Sequence, residues 1–326
     1  MTSNQSVDQQ REPQFIGCME NEINELWQRR HDGFITGVDK KKLYWCKLTS
    51  EQHNKAIVIV NGRVETSWKY QELFYDLFQQ GFDIYSYDHR GQGRSDRIDT
   101  DMGHVEEFDD YVQDLTTLIE HFDLSHYQQR FIIGHSMGGA TATRYVQTQP
   151  HNFDAIAVSA PMYGIQLDWY LRPIVGSVCH FLTKLHRKPT YAPTSKAYYI
   201  KPFENNPLTH SHVRYQWFRD LYEQHPEFKI GGPSCRWVWQ STLAIKQCLQ
   251  QTHQIKIPLL LMQAAEDVIV SNDDQNTFFA QLAKTNPDSH KVSIPAARHE
   301  IFFEQDNARN LALKTVNDFF AACSSK

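Results

Sequence analysis

The spacing of apolar residues changes several times along the chain, and each change marks a boundary. Residues 1–14 show no apolar period and read as a disordered tail, whereas Met19–Arg30 has helical spacing and predicts a short helix. Phe34–Val38 and Leu43–Leu48 flank a lysine-rich turn and predict an antiparallel hairpin. Lys55–Val60 is then a continuous β-branched run, the mark of a strand buried on both faces in a parallel sheet. A helix over Trp68–Gln80 ending at Gly81, a strand over Phe82–Tyr87 and an amphipathic helix over Glu106–His121 follow. Arg130–Ile133 predicts a strand, the stretch from Gly139 to just before Pro150 a helix, and Ala155–Ala160 another buried strand. Strand and helix alternating in this way build a doubly wound, mostly parallel sheet.

From Pro161 to about His253 the alternation lapses. Prolines, short helical stretches and dense aromatics, Trp169, Tyr170, Tyr198 and Trp237 among them, predict a mostly helical insertion without a sheet of its own. Alternation resumes with Pro258–Gln263 (strand), Asn272–Leu282 (helix), Lys291–Ile294 (strand) and Asp306–Phe320 (helix). The expected organisation is a tail over 1–14, an α/β core over 15–160 and 254–326, and a helical cap over 161–253.

With 326 residues, of which 40% are hydrophobic, the chain can bury a large core, which excludes a disordered protein. No run approaches the roughly 18 apolar residues of a membrane span. The polar start carries no apolar signal core, so a cytoplasmic protein is expected. Its six cysteines lack C-x-x-C spacing and read as reduced thiols, neither a disulfide frame nor a zinc site. The net charge of −5 is unevenly spread, because Pro161–Gln250 holds eleven Lys/Arg against five Asp/Glu. A basic segment on an acidic body suits an anionic contact; the acidic whole lacks the footprint of a nucleic-acid binder.

The chemistry centres on Gly134-His135-Ser136-Met137-Gly138. A strand that turns straight into a helix bends sharply, and small residues two places either side of Ser136 let neighbouring backbone pass. This G-x-S-x-G pattern lifts the serine hydroxyl to the top of a sheet and aims the Met137 N–H at the same point. Serine is a weak nucleophile and needs a base with an orienter, which on such a sheet follow in the order acid, then histidine. The strand ending at Gln263 opens into Ala264-Ala265-Glu266-Asp267, offering Asp267 with Glu266 as the adjacent rival. The next strand opens into Pro295–Glu300 and offers His299. A second oxyanion donor should come from the loop after the first buried strand, Asn61–Glu65, and the Arg63 N–H is favoured.

Together with these residues, Tyr87–Asp96, Gly103–Phe108, Leu208–Ser211 and Ala297–Glu304 carry a resemblance. From about Phe34 to Phe320 the chain resembles the α/β-hydrolase superfamily, within it the monoacylglycerol lipase and lysophospholipase branch, and there the bacterial lysophospholipases. The resemblance implies an α/β-hydrolase fold with an inserted helical cap and an intracellular serine esterase without a cofactor or metal. It also implies a lysophospholipid substrate, with a monoacylglycerol or another ester as the alternative, and a place at the inner face of the cytoplasmic membrane. Many lipases of this superfamily carry His-Gly where this chain has Asn61-Gly62. The aromatic, basic cap suits an acyl chain and an anionic surface.

Other motifs read as structural. Asp88–Asp96 precedes the elbow and has no partner, so it is taken as a turn. His210 and His212 lack accompanying ligands for a metal, and Gly91 and Gly93 do not complete a dinucleotide fingerprint.

Overall fold

Strands form where the apolar patterning predicts them, and they assemble into one sheet. The computed structural model describes residues 10–98, 100–166 and 170–323. Its strands are β1 (His31–Thr36), β2 (Lys42–Leu48), β3 (Lys55–Val60), β4 (Phe82–Tyr87), β5 (Gln129–His135), β6 (Ala155–Ser159), β7 (Leu259–Ala264) and β8 (His290–Ile294). They lie in the order β1-β2-β4-β3-β5-β6-β7-β8. The hairpin β1–β2 is antiparallel and joins β4 antiparallel, while β4, β3, β5, β6, β7 and β8 pair in parallel. In β4, β5, β6 and β7 every strand residue except Gln129 and Arg130 is buried, as expected of strands covered on both faces.

The helices are α1 (Phe15–Glu20), α2 (Glu22–Gln28), α3 (Gln71–Gln79), α4 (Asp109–Phe122), α5 (Met137–Thr148), α6 (Arg172–Leu185), α7 (His212–Gln224), α8 (Cys235–Gln250), α9 (Asn272–Leu282) and α10 (Asp306–Cys323). Where one helix over Met19–Arg30 is expected, the chain breaks at Asn21, whose side-chain amide donates to the Gly17 carbonyl at 2.7 Å. Such local bonding competes with helix continuation. Among the described residues no helix is long and apolar enough to cross a membrane.

The chain leaves β3 for β4 on one side, then returns to place β5 on the other. The loops after β3 and β5 therefore diverge, and a crevice opens between them at the carboxyl ends of the strands. The segment between β6 and β7 supplies α6, α7 and α8. Trp237, Ala244 and Cys248 of α8 join the main core, whereas Tyr215, Phe218 and Tyr222 of α7 form a separate cluster with Phe228. Most of the dense aromatics thus pack the insertion; Trp169 lies outside the described residues.

The disordered reading of 1–14 needs correction over its last part, while residues 1–9 lie outside the described residues. Arg11 is buried, and Glu12–Gln14 forms a turn of 3-10 helix. The reason is a buried charge cluster that apolar periodicity cannot reveal. Glu72 on α3 accepts from Arg11 at 3.0 Å and from Arg214 on α7 at 2.8 and 2.9 Å, with Arg309 on α10 3.4 Å away. Asp76 takes Arg11 and Arg309, and Asp306 takes Arg214. Phe15, Met19 and Ile23 then pack against Val213 and Trp217, fastening the N-terminal segment to α7.

Burial pushes the Glu72 carboxyl up, but Arg309, Arg214 and Arg11 outweigh it and bring it to about 2, below the ordinary 4.5. Between pH 4.5 and about 2 the unfolded chain therefore binds a proton that the native carboxylate refuses, so stability falls as pH falls through that window. Glu72→Gln should lose about 3 kcal/mol or more at pH 7, because the arginines stay buried with too few partners. Its stability should also fall less steeply than wild type on acidification. Urea unfolding followed by tryptophan fluorescence at several pH values checks both; an unchanged midpoint at pH 7 would contradict the cluster's role.

Candidate active site

Ser136 stands between β5 and α5 with φ 52° and ψ −118°, a conformation that side chains rarely adopt. Its neighbours impose it. A Cβ on Gly138 would sit 2.2 Å from the carbonyl oxygens of both Val60 and Asn61, so the exit of β3 runs directly against the start of α5. A Cβ on Gly134 would meet the Gly138 carbonyl at 2.8 Å. Only glycine fits these approaches, and strain of this kind costs about 1–3 kcal/mol, which the surrounding packing must offset.

His299 follows β8 and Asp267 follows β7. His299 Nε2 lies 2.9 Å from Ser136 Oγ, and His299 Nδ1 lies 2.8 Å from Asp267 Oδ2. The other Asp267 oxygen accepts the backbone N–H groups of Ile269 at 2.8 Å and Val270 at 3.1 Å, which fixes the carboxylate plane. Burial raises the Asp267 carboxyl, but the bond to His299 and those backbone N–H groups outweigh it, leaving it below the ordinary carboxylate value. With Asp267 ionised, Nδ1 carries the imidazole hydrogen and Nε2 is left to accept the serine proton. The rival Glu266 points elsewhere: it is half-exposed and pairs with His210 Nε2 at 3.1 Å.

Met137 opens α5, so its N–H belongs to the first helical turn, where amides lack intrahelical acceptors. In the opposing loop the Gly62 N–H is already donated to Glu65 Oε2 at 2.5 Å. The next amide along is that of Arg63. The loop reaches the elbow closely, since a Cβ on Gly62 would stand 3.3 Å from Ser136 Cβ. Asn61 replaces the histidine of many lipases and does scaffold work: its side-chain amide donates to the Tyr87 carbonyl at 3.0 Å, and its own carbonyl meets His89 Nε2 at 2.9 Å.

A buried ion cluster that sequence reasoning missed lies beneath these groups. Lys69 bridges Glu65 at 2.9 Å and Glu300, the neighbour of His299, at 2.6 Å. Tyr70 also donates to Glu65 at 2.5 Å. Burial pushes Glu65 up, but Lys69, His135 and the hydrogen bond from Tyr70 bring it to about 2. Burial raises Glu300 and lowers His135 to about 4, so the His135 ring beside Ser136 stays neutral at pH 7. The available signal was the Glu65–Lys69 spacing, an acid and a base four residues apart with Lys69 set between Trp68 and Tyr70.

The motifs read as structural have structural surroundings. Buried Asp88 accepts from the Ser67 N–H at 2.7 Å, the Thr66 hydroxyl at 2.9 Å and the Arg94 N–H at 2.8 Å. Arg90 pairs with Asp114 at 2.5 Å. His210 is held between Glu266 and Glu304, while His212 turns to the Phe203 ring.

Ser136, His299 and Arg63 line a cavity of about 440 Å³. Met162, Ile165, Ile269, Val270 and Trp237 give it an apolar lining, and residues from the insertion, including Tyr198, Arg219 and Tyr222, form much of the remaining wall. A site of this kind combines a polarised serine with room for an apolar chain.

Comparison with known proteins agrees with this architecture. The chain is 36% identical over 321 residues to lysophospholipase L2 of Escherichia coli K12, covering 95% of this chain and 93% of that one. It is 33% identical to the probable lysophospholipase L2 of Haemophilus influenzae, covering 95% and 98%. Among solved structures, the monoacylglycerol lipase of Paleococcus ferrophilus superposes with a TM-score of 0.68 at 20% identity, covering 86% of this chain and 98% of that one, a likeness of fold. The family described as serine aminopeptidase, S33, matches residues 51–306, a span that takes in Ser136, Asp267 and His299. The chain belongs to this serine aminopeptidase (S33) family of α/β-hydrolases.

Proposed function

We propose that the protein is a serine esterase that removes the acyl chain of lysophospholipids. The observation that carries this reading is the hydrogen-bonded line Asp267–His299–Ser136 opening into a cavity with an apolar lining. The likeness over nearly the whole chain to two proteins named as lysophospholipase L2 supports the substrate class.

In the proposed reaction Ser136 Oγ attacks the acyl carbonyl carbon as His299 Nε2 takes its proton. Asp267 stabilises the imidazolium that forms. The oxyanion is met by the N–H groups of Met137 and Arg63. Collapse breaks the bond from the carbonyl carbon to the glycerol oxygen, which takes the proton from His299. Water then attacks the acyl-enzyme, gives its proton to His299 and releases the fatty acid; the proton returns to Ser136. No cofactor or metal enters this sequence.

Glu65 and Lys69 act on the oxyanion loop from below. Glu65 holds the Gly62 N–H, and Lys69 ties Glu65 to the residue after His299.

A peripheral contact with an anionic lipid surface belongs to the same reading. Ile174, Val178, Phe181 and Leu185 recur at helical spacing on α6 and are exposed, Phe181 and Leu185 by 64% each. Exposed Lys184, Arg187 and Lys188 follow at its end. An apolar stripe flanked by cations suits the interface of an anionic bilayer, where each basic residue adds about 1 kcal/mol.

Purified protein should release fatty acid from lysophosphatidylethanolamine and nitrophenol from a short p-nitrophenyl ester. Silence on both would end the esterase reading, and activity confined to the short ester would remove its lipid part. Ser136→Ala and His299→Ala should each lose about 10⁴- to 10⁶-fold in kcat. Asp267→Asn should lose about 10⁴-fold, whereas Glu266→Gln should stay near wild type; the opposite ranking would exchange their roles. Glu65→Gln should lower kcat by about 10- to 100-fold with little change in KM, as expected when an oxyanion donor loses its alignment. A change confined to KM would contradict that assignment. Reversing the charge of Lys184, Arg187 and Lys188 should weaken sedimentation with vesicles containing phosphatidylglycerol, and undiminished binding would remove the membrane contact.

A further inference from the structure

The charge inside the cavity is out of balance. Arg63, Lys196, Lys201 and Arg219 line it, and none has a carboxylate partner among the described residues. The two carboxylates in the same lining, Glu65 and Glu300, are both engaged by Lys69. Among the described residues, these cations are thus open to an anion that enters the cavity.

The two guanidinium groups are held in place by neutral partners, which leave their charge unpaired among the described residues. Arg63 Nη1 donates to the Gly231 carbonyl at 3.1 Å, and the group lies 5.4 Å from the centre of the Trp237 ring. Burial lowers its ordinary pKa to about 10, which leaves it charged at neutral pH. Arg219 Nη2 donates to the Tyr215 hydroxyl at 3.0 Å, with the guanidinium 4.9 Å from the ring centres of Tyr215 and Phe218. Its Nε is buried and makes no hydrogen bond. An unmet buried donor on a cation is costly unless a ligand oxygen completes it.

The two arginines also belong to one wall. Tyr222, three residues beyond Arg219 on α7, donates its hydroxyl to the carbonyl of Val64, the residue after Arg63, at 2.9 Å. The segment 196–198 passes over Gly231, where a Cβ would meet the Tyr198 amide nitrogen at 2.9 Å. It brings Lys196 to the rim, its Nζ 3.8 Å from the centre of the exposed Tyr199 ring.

We propose that Arg63 and Arg219 receive the phosphoryl oxygens of the substrate's head group, so that the site prefers a phosphorylated acyl glycerol over a neutral one. The inference rests on the esterase reading above and adds what the apolar lining cannot supply, discrimination by head group. Guanidinium forks match two phosphate oxygens, and they do so best in a wall where competing water is limited. Arg63 would hold two parts of the substrate through different atoms: the acyl oxyanion through its backbone N–H, and the phosphate through its side chain.

The test compares kcat/KM for lysophosphatidylethanolamine with that for a monoacylglycerol of the same acyl chain. In Arg219→Gln and in Arg63→Gln, which keeps its backbone N–H, that ratio should fall about tenfold or more, as loss of a charge-assisted bond predicts. Arg219→Lys, which keeps the charge, should recover part of it. A proportional loss on both lipids, or an unchanged ratio, overturns the proposal while leaving the esterase reading intact. Glycerophosphoethanolamine should inhibit short-ester hydrolysis competitively in wild type and need about tenfold more in Arg219→Gln. Equal inhibition by inorganic phosphate at the same concentration would make this a site for free phosphate and overturn the head-group assignment. The short-ester arm does not require lipid turnover, so failure of the lipid reading would be seen separately, as wild type that cleaves the short ester and neither lipid.

Discussion

The carbonyls of Val60 and Asn61 press against Gly138, and much of the architecture follows from that approach. It brings the exit of β3 and the start of α5 into contact, so the loop after β3 cannot drift from the serine. The same crowding holds Ser136 at positive φ and aims its hydroxyl out of the sheet. A parallel sheet whose chain reverses between β3 and β5 provides the crevice, and the close approach gives that crevice a fixed width.

Charge organises what lies beneath. Lys69 joins the loop carrying Arg63 to the turn carrying His299, because its two carboxylate partners sit on either side of the serine. A buried cation between carboxylates contributes little net stability once desolvation is counted, but it restricts geometry strongly. Here it links two chain segments more than 200 residues apart, from Glu65 to Glu300. The arginine cluster at Glu72 does similar work further out, gathering Arg11, α7 and α10 around α3.

Nearly all the strands and the serine elbow were legible in the sequence because both leave local marks. Continuous runs such as Lys55–Val60 mean burial on both faces, and Gly134 and Gly138 flank a turn that needs them. The order of Ser136, Asp267 and His299 along the chain could likewise be read from strand ends, where Asp267 is favoured over Glu266; the coordinates add the contact between His299 Nδ1 and Asp267. Adjacent carboxylates differ only in which way the backbone turns them. The break at Asn21 was hidden because it is marked by a local side-chain bond to Gly17, which leaves no trace in the apolar period. Arg11 read as part of a tail because its partners are Glu72 and Asp76, and polar residues paired across such distances leave no period in the sequence. Aromatic density in the insertion suggested a cap over an acyl chain, and Phe218 and Tyr222 do line the cavity beside Ser136, while the exposed apolar stripe on α6 is mainly aliphatic.

The charge cluster at Glu72 also bears on what counts as the folding unit. The family match begins at residue 51, but β1, β2 and the segment bearing Arg11 all precede it. Those residues close one edge of the sheet and supply a cation that Glu72 and Asp76 share with the core. A fragment trimmed to residues 51–306 would expose β4 as a sheet edge and strand part of the acidic cluster. The span common to the wider family and the span that is physically self-sufficient thus have different boundaries in this chain, and the second reaches back to Arg11.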